Sequence, residues 1–102
     1  MDLGQSIRRL REERKMKQNE LAAAIGLTQT YLSQIENNQK QPSQKVVEQI
    51  GKALNVPAPI IFFLALEEND LSAEKRMAFN AVSPLVKALV DSPPIPQTNG
   101  SN

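Results

Sequence analysis

A single glycine inside a short apolar pattern does most to limit what this chain can become. In "ELAAAIGLTQTYLSQIEN", residues 20–37, Leu21, Ala22 and Ile25 stand at helical spacing before Gly26, and Leu32 and Ile35 resume that spacing after it. Recurrence at three and four marks the buried stripe of an amphipathic helix. Glycine adopts positive φ without steric cost, so Gly26 ends one helix and turns the chain sharply. Leu27 follows, and Thr28 carries the side-chain oxygen of a good N-cap, which starts another helix running to about Glu36 or Asn37.

The same reading extends in both directions. Leu3, Ile7 and Leu10 form a first helical stripe among Arg8, Arg9, Arg11, Glu12, Glu13 and Arg14, with Asp2 as its cap and Gln5 where a capping-box partner belongs. Asn38 is suited to a left-handed terminator after the third helix. Ser43 caps a fourth helix bearing Val46, Val47, Ile50, Ala53 and Leu54. Its interior Gly51 costs roughly 0.5–1 kcal/mol relative to alanine, which points to close helix packing there. After "NVPAP", "IIFFLALEE" reads as a fifth helix whose Ile60, Ile61, Phe62 and Phe63 close the core, because a lone strand would have no partner. Residues 72–90 are again amphipathic, with Ala78, Val82, Leu85, Val86 and Leu89 recurring. Ser83 as cap and Pro84 at a first helical position predict a kink or break near residue 83. The polar, proline-rich "DSPPIPQTNGSN" predicts a disordered end. The expected fold is all-α.

Composition narrows the function classes. The 102 residues include no Cys and no His, which removes disulfides, thiolate chemistry, the usual zinc ligands and imidazole acid–base catalysis. An enzyme would have to use carboxylates, and Glu12, Glu13 and Glu20 show no arrangement beyond ordinary helix surface. No metal or cofactor is expected. No apolar run reaches the roughly 18–20 residues that span a bilayer, so a cytoplasmic protein without membrane contact is expected. Residues 1–66 hold nine Lys or Arg against six Asp or Glu, whereas 67–102 hold three against five. A basic front half suits a polyanion and equally a solvated helix face.

The third helix carries the sharper signal. On a wheel of about 100° per residue, Leu32 and Ile35 with Thr28 define its buried side, leaving Thr30, Ser33 and Asn37 outward, flanked by Gln29 and Gln34. None of these five is charged. A face made for solubility is usually lysine and glutamate, whereas amides and hydroxyls meet other donors and acceptors. Glutamine pairs with adenine N6 and N7, and Ser or Thr serves either base type. A polar surface helix with no special use remains open on composition alone.

"QNELAAAIGLTQTYLSQI" resembles the helix-turn-helix of the XRE family, the Cro-like and phage-repressor-like DNA-binding domains. Leu21, Ala22, Ile25, Gly26, Leu27, Leu32 and Ile35 fall on that family's apolar, small and glycine positions. The resemblance runs from about Leu3 to Phe62 and includes "IEN", Pro42 and "IGKALNVP". It implies a five-helix phage-repressor-like DNA-binding domain over residues 1–66, beyond which the residues themselves read as a C-terminal amphipathic helical extension over 67–91 and a disordered tail over 92–102. It further implies that the third helix enters the major groove, so that Gln29, Thr30, Ser33 and Gln34 read base edges. Gln18 matches a glutamine that binds a phosphate and braces the first recognition glutamine, here Gln29. Asn37, Asn38, Gln39 and Lys40 would cross the DNA backbone, joined by Ser43 with its helix amides. Tyr31 reaches a phosphate or packs on the turn. Arg11 and Glu36 occupy the places of a buried ion pair, unless both are surface charges.

Departures from the pattern affect the DNA backbone register. Lys17 replaces a capping Ser or Thr, which loosens the second helix's start while offering a phosphate contact. Gln44 stands where an apolar residue is common, and Asn38 replaces a glycine. The extension separates two functional classes. Val82, Leu85, Val86, Leu89 and Val90 exceed what a lone surface helix exposes, so they pack on the domain, on a second copy or on another protein. A homodimeric regulator of the repressor kind, bound to a palindromic double-stranded operator, is the first class. An antitoxin-like or bridging interaction module with a protein partner is the second.

Overall fold

The computed structural model describes residues 1–91, with Glu68 described by its backbone alone, so the tail expected to be disordered over 92–102 lies outside the described residues. Six α-helices follow in order: α1 (Leu3–Glu13), α2 (Gln18–Ala24), α3 (Gln29–Glu36), α4 (Gln44–Leu54), α5 (Ala58–Ala65) and α6 (Ala73–Asp91), with one 3-10 turn at Glu68–Asp70. No strand occurs among the described residues. The expected all-α class holds.

Helices α1 to α5 surround one core. Ile7, Leu21, Leu32, Ile35, Val47, Ile50, Leu54 and Ile61 are fully buried, and Leu3, Leu10, Ala22, Val56 and Ala65 nearly so. Each buried Leu, Ile or Val contributes about 1.5–3 kcal/mol over an exposed one, so this cluster carries the fold. The "IIFF" stretch divides its work: Ile61 is central, Ile60 and Phe62 pack at the margin, and Phe63 turns to α6. Gly51 behaves as its helix-interior position predicts, because a Cβ there would overlap the Val56 carbonyl oxygen where the chain doubles back from α4. Arg14 ties separate pieces together: its Nε donates to the Leu54 carbonyl at 2.9 Å and its Nη2 to the Val90 carbonyl at 3.4 Å. A cation at the C-terminal ends of α4 and α6 also opposes their dipoles.

Of the kink or break expected near residue 83, the break does not occur, since α6 stays helical through Pro84. A proline inside a helix removes one hydrogen bond and costs about 3 kcal/mol. Docking offsets that cost on both sides of it. Phe79 meets Phe63 with ring centroids 4.8 Å apart at 31°, Ser83 is buried, and Val90 packs against the core. A helix anchored before and after the proline has little freedom to restart in a new direction.

Candidate nucleic-acid interface

The turn between α2 and α3 is built as the glycine requires. Gly26 has φ of 72°, and a Cβ at that position would meet nothing, so its role is conformational. Lys17 begins α2 without a side-chain cap, but its backbone N–H donates to Glu20 Oε1 at 2.7 Å. The carboxylate three residues on thereby supplies one half of a capping box and firms a start that the lysine alone leaves loose. Thr28 is exposed, its Oγ1 accepting from the Tyr31 N–H at 3.1 Å. It is a cap, and the expectation that it lines the buried side of α3 is corrected.

The two sides of α3 differ sharply. Leu32 and Ile35 are wholly buried. Gln29, Thr30 and Asn37 are exposed, and Ser33 and Gln34 are half-buried beside them. Tyr31 is half-buried against the core. The Asn37 amide donates to Ser33 Oγ at 3.4 Å.

Beneath this face lies a buried ion pair, with side chains 10% exposed for Arg11 and 2% for Glu36. Arg11 Nε donates to Glu36 Oε2 at 2.8 Å and Nη2 to Oε1 at 3.0 Å, a bidentate fork between α1 and α3. Arg11 Nη1 donates to the Met16 carbonyl at 2.8 Å. The carboxylate holds the guanidinium pKa above its ordinary value against the opposing effect of burial. Gln18 Nε2 donates to Glu36 Oε1 at 3.1 Å, and Gln29 Nε2 to Gln18 Oε1 at 3.5 Å. Thus Gln18 stands between Glu36 and Gln29. Among the described residues, no buried side-chain polar atom lacks a hydrogen-bond partner.

The loop after α3 offers side chains more than amides. The backbone N–H groups of Asn37, Asn38, Gln39 and Lys40 all turn back to carbonyls of Ser33, Gln34 or Ile35. Gln39, Lys40 and, before α2, Lys17 are exposed. Asn38 is left-handed, with φ of 59°. Its Nδ2 donates to Asp2 Oδ1 at 2.8 Å and its Oδ1 accepts from the Gly4 N–H at 3.1 Å. That amide is therefore largely committed to α1. The Asn38 amide and then the Gln5 N–H hold the Asp2 carboxyl below the usual carboxylate range. Ser43 Oγ accepts from the Val46 N–H at 3.1 Å, which caps α4.

Gly4 went unremarked in the sequence, although a Cβ there would overlap the carbonyl oxygens of Ile35 and Glu36. The signal was present, since a glycine within a helix implies close approach, the inference that Gly51 received. Of the residues expected to meet a second copy, Val82, Leu85 and Leu89 are 43%, 67% and 73% exposed. Val86 is half-buried, and Val90 packs against the core.

Residues 7–61, more than half of the chain, match the family model described as helix-turn-helix. The chain belongs to the XRE-type helix-turn-helix family. Family members are DNA-binding transcription regulators and not an enzyme class. Two curated relatives come from Bacillus phage phi105. An ImmF control region 10 kDa protein is 39% identical over 59 residues, 58% of this chain and 66% of that protein. The immunity repressor protein is 32% identical over 81 residues, 79% of this chain and 54% of the repressor. This XRE-type chain thus spans about half to two thirds of the length of these relatives. The solved structure of the clp gene regulator ClgR from Corynebacterium glutamicum superposes with a TM-score of 0.62, covering 88% of this chain and 87% of ClgR at 22% identity, which shows a shared fold. No helix among the described residues is long and apolar enough to cross a membrane.

Proposed function

We propose that this chain is a cytoplasmic, sequence-specific regulator of transcription, of the repressor kind, that lays α3 in the major groove of double-stranded DNA. The observation that carries this reading is the neutral hydrogen-bonding face of α3, Gln29, Thr30, Ser33 and Gln34, set opposite the wholly buried Leu32 and Ile35. Such groups match base edges, whereas charges would attract any phosphate. Gln18, Lys17, Tyr31, Asn37, Gln39, Lys40 and Ser43 serve as DNA backbone contacts, with Asn38 contributing what its bonds to α1 leave. No metal or cofactor takes part. The likeness to a phage immunity repressor supports repression.

Residues 1–66 form the DNA-binding unit and 67–91 the association unit in this reading. One short helix reads few base pairs, so two copies on two-fold half-sites about 34 Å apart restore selectivity, and the operator is palindromic. Ala78, Val82, Leu85 and Leu89 follow a four-three-four spacing, the seam of a coiled coil, on a stripe of α6 beside the one that carries Phe79 and Val90. Val86 and Val90 serve the body more than the second copy.

Selection of duplexes from a random pool by the full chain, paired with sedimentation, tests the proposal. An enriched palindrome bound by a dimer is expected. The exposed Met77 and Leu85 also suit a helix of another protein, as in an antitoxin-like or bridging module. A monomer that enriches no sequence would favour that second reading and end the first.

A further inference from the structure

Glu36 makes more hydrogen bonds than an ion pair needs, and the extra one points towards the DNA-facing side. A carboxylate only accepts. Its two oxygens take Arg11 Nε at 2.8 Å, Arg11 Nη2 at 3.0 Å and Gln18 Nε2 at 3.1 Å, with the side chain 2% exposed. Gln18 must therefore turn its amino end inward. Reversing that amide would set its oxygen against the carboxylate in a place closed to water. The polarity then propagates. Gln18 Oε1 also only accepts, and Gln29 Nε2 stands 3.5 Å from it, while the second Nε2 hydrogen of Gln18 stays available to a DNA phosphate. Gln29 spends one N–H inward and shows the groove one acceptor and one donor.

We infer that the buried Arg11–Glu36 pair is a positioning element for base readout, acting through Gln18 to fix the hydrogen-bond polarity of Gln29 and hence a preference for adenine over guanine. Adenine offers the N6 donor and the N7 acceptor, which an amide with one free oxygen and one free N–H complements. Guanine offers two acceptors, O6 and N7, and Gln29 has no second N–H left to meet them. Neither Arg11 nor Glu36 needs to touch DNA for this effect. It rests on the reading of α3 as the recognition helix.

Two variants test it on the full chain, each checked for helicity by circular dichroism. Glu36→Gln puts at position 36 an amide that can show Gln18 either end, which frees the polarity. Gln18→Met cuts the relay at a half-exposed position and leaves the ion pair intact, so it stays readable even if Glu36→Gln unfolds. Binding is measured on the selected duplex and on duplexes carrying guanine for adenine at each position of the half-site. Both variants should lose discrimination by about fivefold, the low end of what one bidentate amide–adenine pair supplies, at one position and with an unchanged salt slope. The Gln18→Met chain keeping wild-type discrimination at every position would overturn the inference, as would equal loss across all positions. A wild-type chain with no base preference anywhere would instead overturn the recognition reading, and this inference with it.

Discussion

The outward side of α3 and the Val82–Leu85–Leu89 stripe of α6 both lack charge, yet their chemistry is opposite. On α3 the exposed groups are amides and hydroxyls, and on α6 they are the methyl groups of Val82, Leu85 and Leu89. Water satisfies an exposed amide at no cost, and a partner improves on water only if its donors and acceptors match in direction. Exposed methyl groups cost free energy in water, and any apolar surface of suitable shape relieves them. On the proposed reading, the first kind of face selects and the second adheres. The α3 face also needs a rigid backing to keep its directions, which the ion pair and Gly4 supply.

Removing that backing should give the largest effect. Arg11→Ala leaves the Glu36 carboxylate buried and uncompensated, so stability should fall by about 3–5 kcal/mol in denaturant titrations. An unchanged midpoint would mean that α3 owes its pose to apolar packing alone. Next comes the adhesive side. Leu85→Asp should shift sedimentation to the monomer while helicity persists, weakening self-association by about 2 kcal/mol or more. A dimer that survives would move the contact elsewhere. On the selective side, Gln34→Ala should lose roughly 1–3 kcal/mol on the preferred duplex and relax choice at one base, whereas Lys40→Ala should weaken all duplexes alike and flatten the salt slope by about one unit. Equal behaviour of the two variants would erase the distinction between reading and steering. The smallest effect concerns acid. The native Asp2 pKa is depressed, so its stabilising contribution is complete above the ordinary carboxylate range and disappears as pH falls through the depressed value. Asp2→Asn should therefore be less stable than the wild type at neutral pH, with the gap closing in acid melts.

The sequence exposed the elements better than their seating. Gly26, Thr28, Asn38 and Ser43 punctuate the chain by local backbone chemistry, so periods and caps located α1 to α5. The chain does not break at position 83 because the local rule for proline is outweighed by docking, which only the folded chain supplies. The orientation of α6 was illegible for another reason. Phe79, Val86 and Val90 form one stripe, and Ala78, Val82, Leu85 and Leu89 form another beside it. With so wide an apolar arc, no periodicity says which stripe meets the body. At the candidate interface, the outward residues could be read from the wheel. The Asp2–Asn38–Gly4 contact could not, because it joins residues 34 to 36 positions apart. Glu20 is helix surface as expected, and its bond to the Lys17 backbone amide adds a capping role that side-chain spacing did not show.

Gly4 lets the main chain of α1 rest directly on the carbonyls that close α3. The pose of α3 is therefore set in part by polypeptide touching polypeptide, independent of the side chains on its outer side. If α3 reads DNA as proposed, a scaffold of that kind can be retargeted: new side chains at positions 29, 30, 33 and 34 would change the address without moving the helix that carries them.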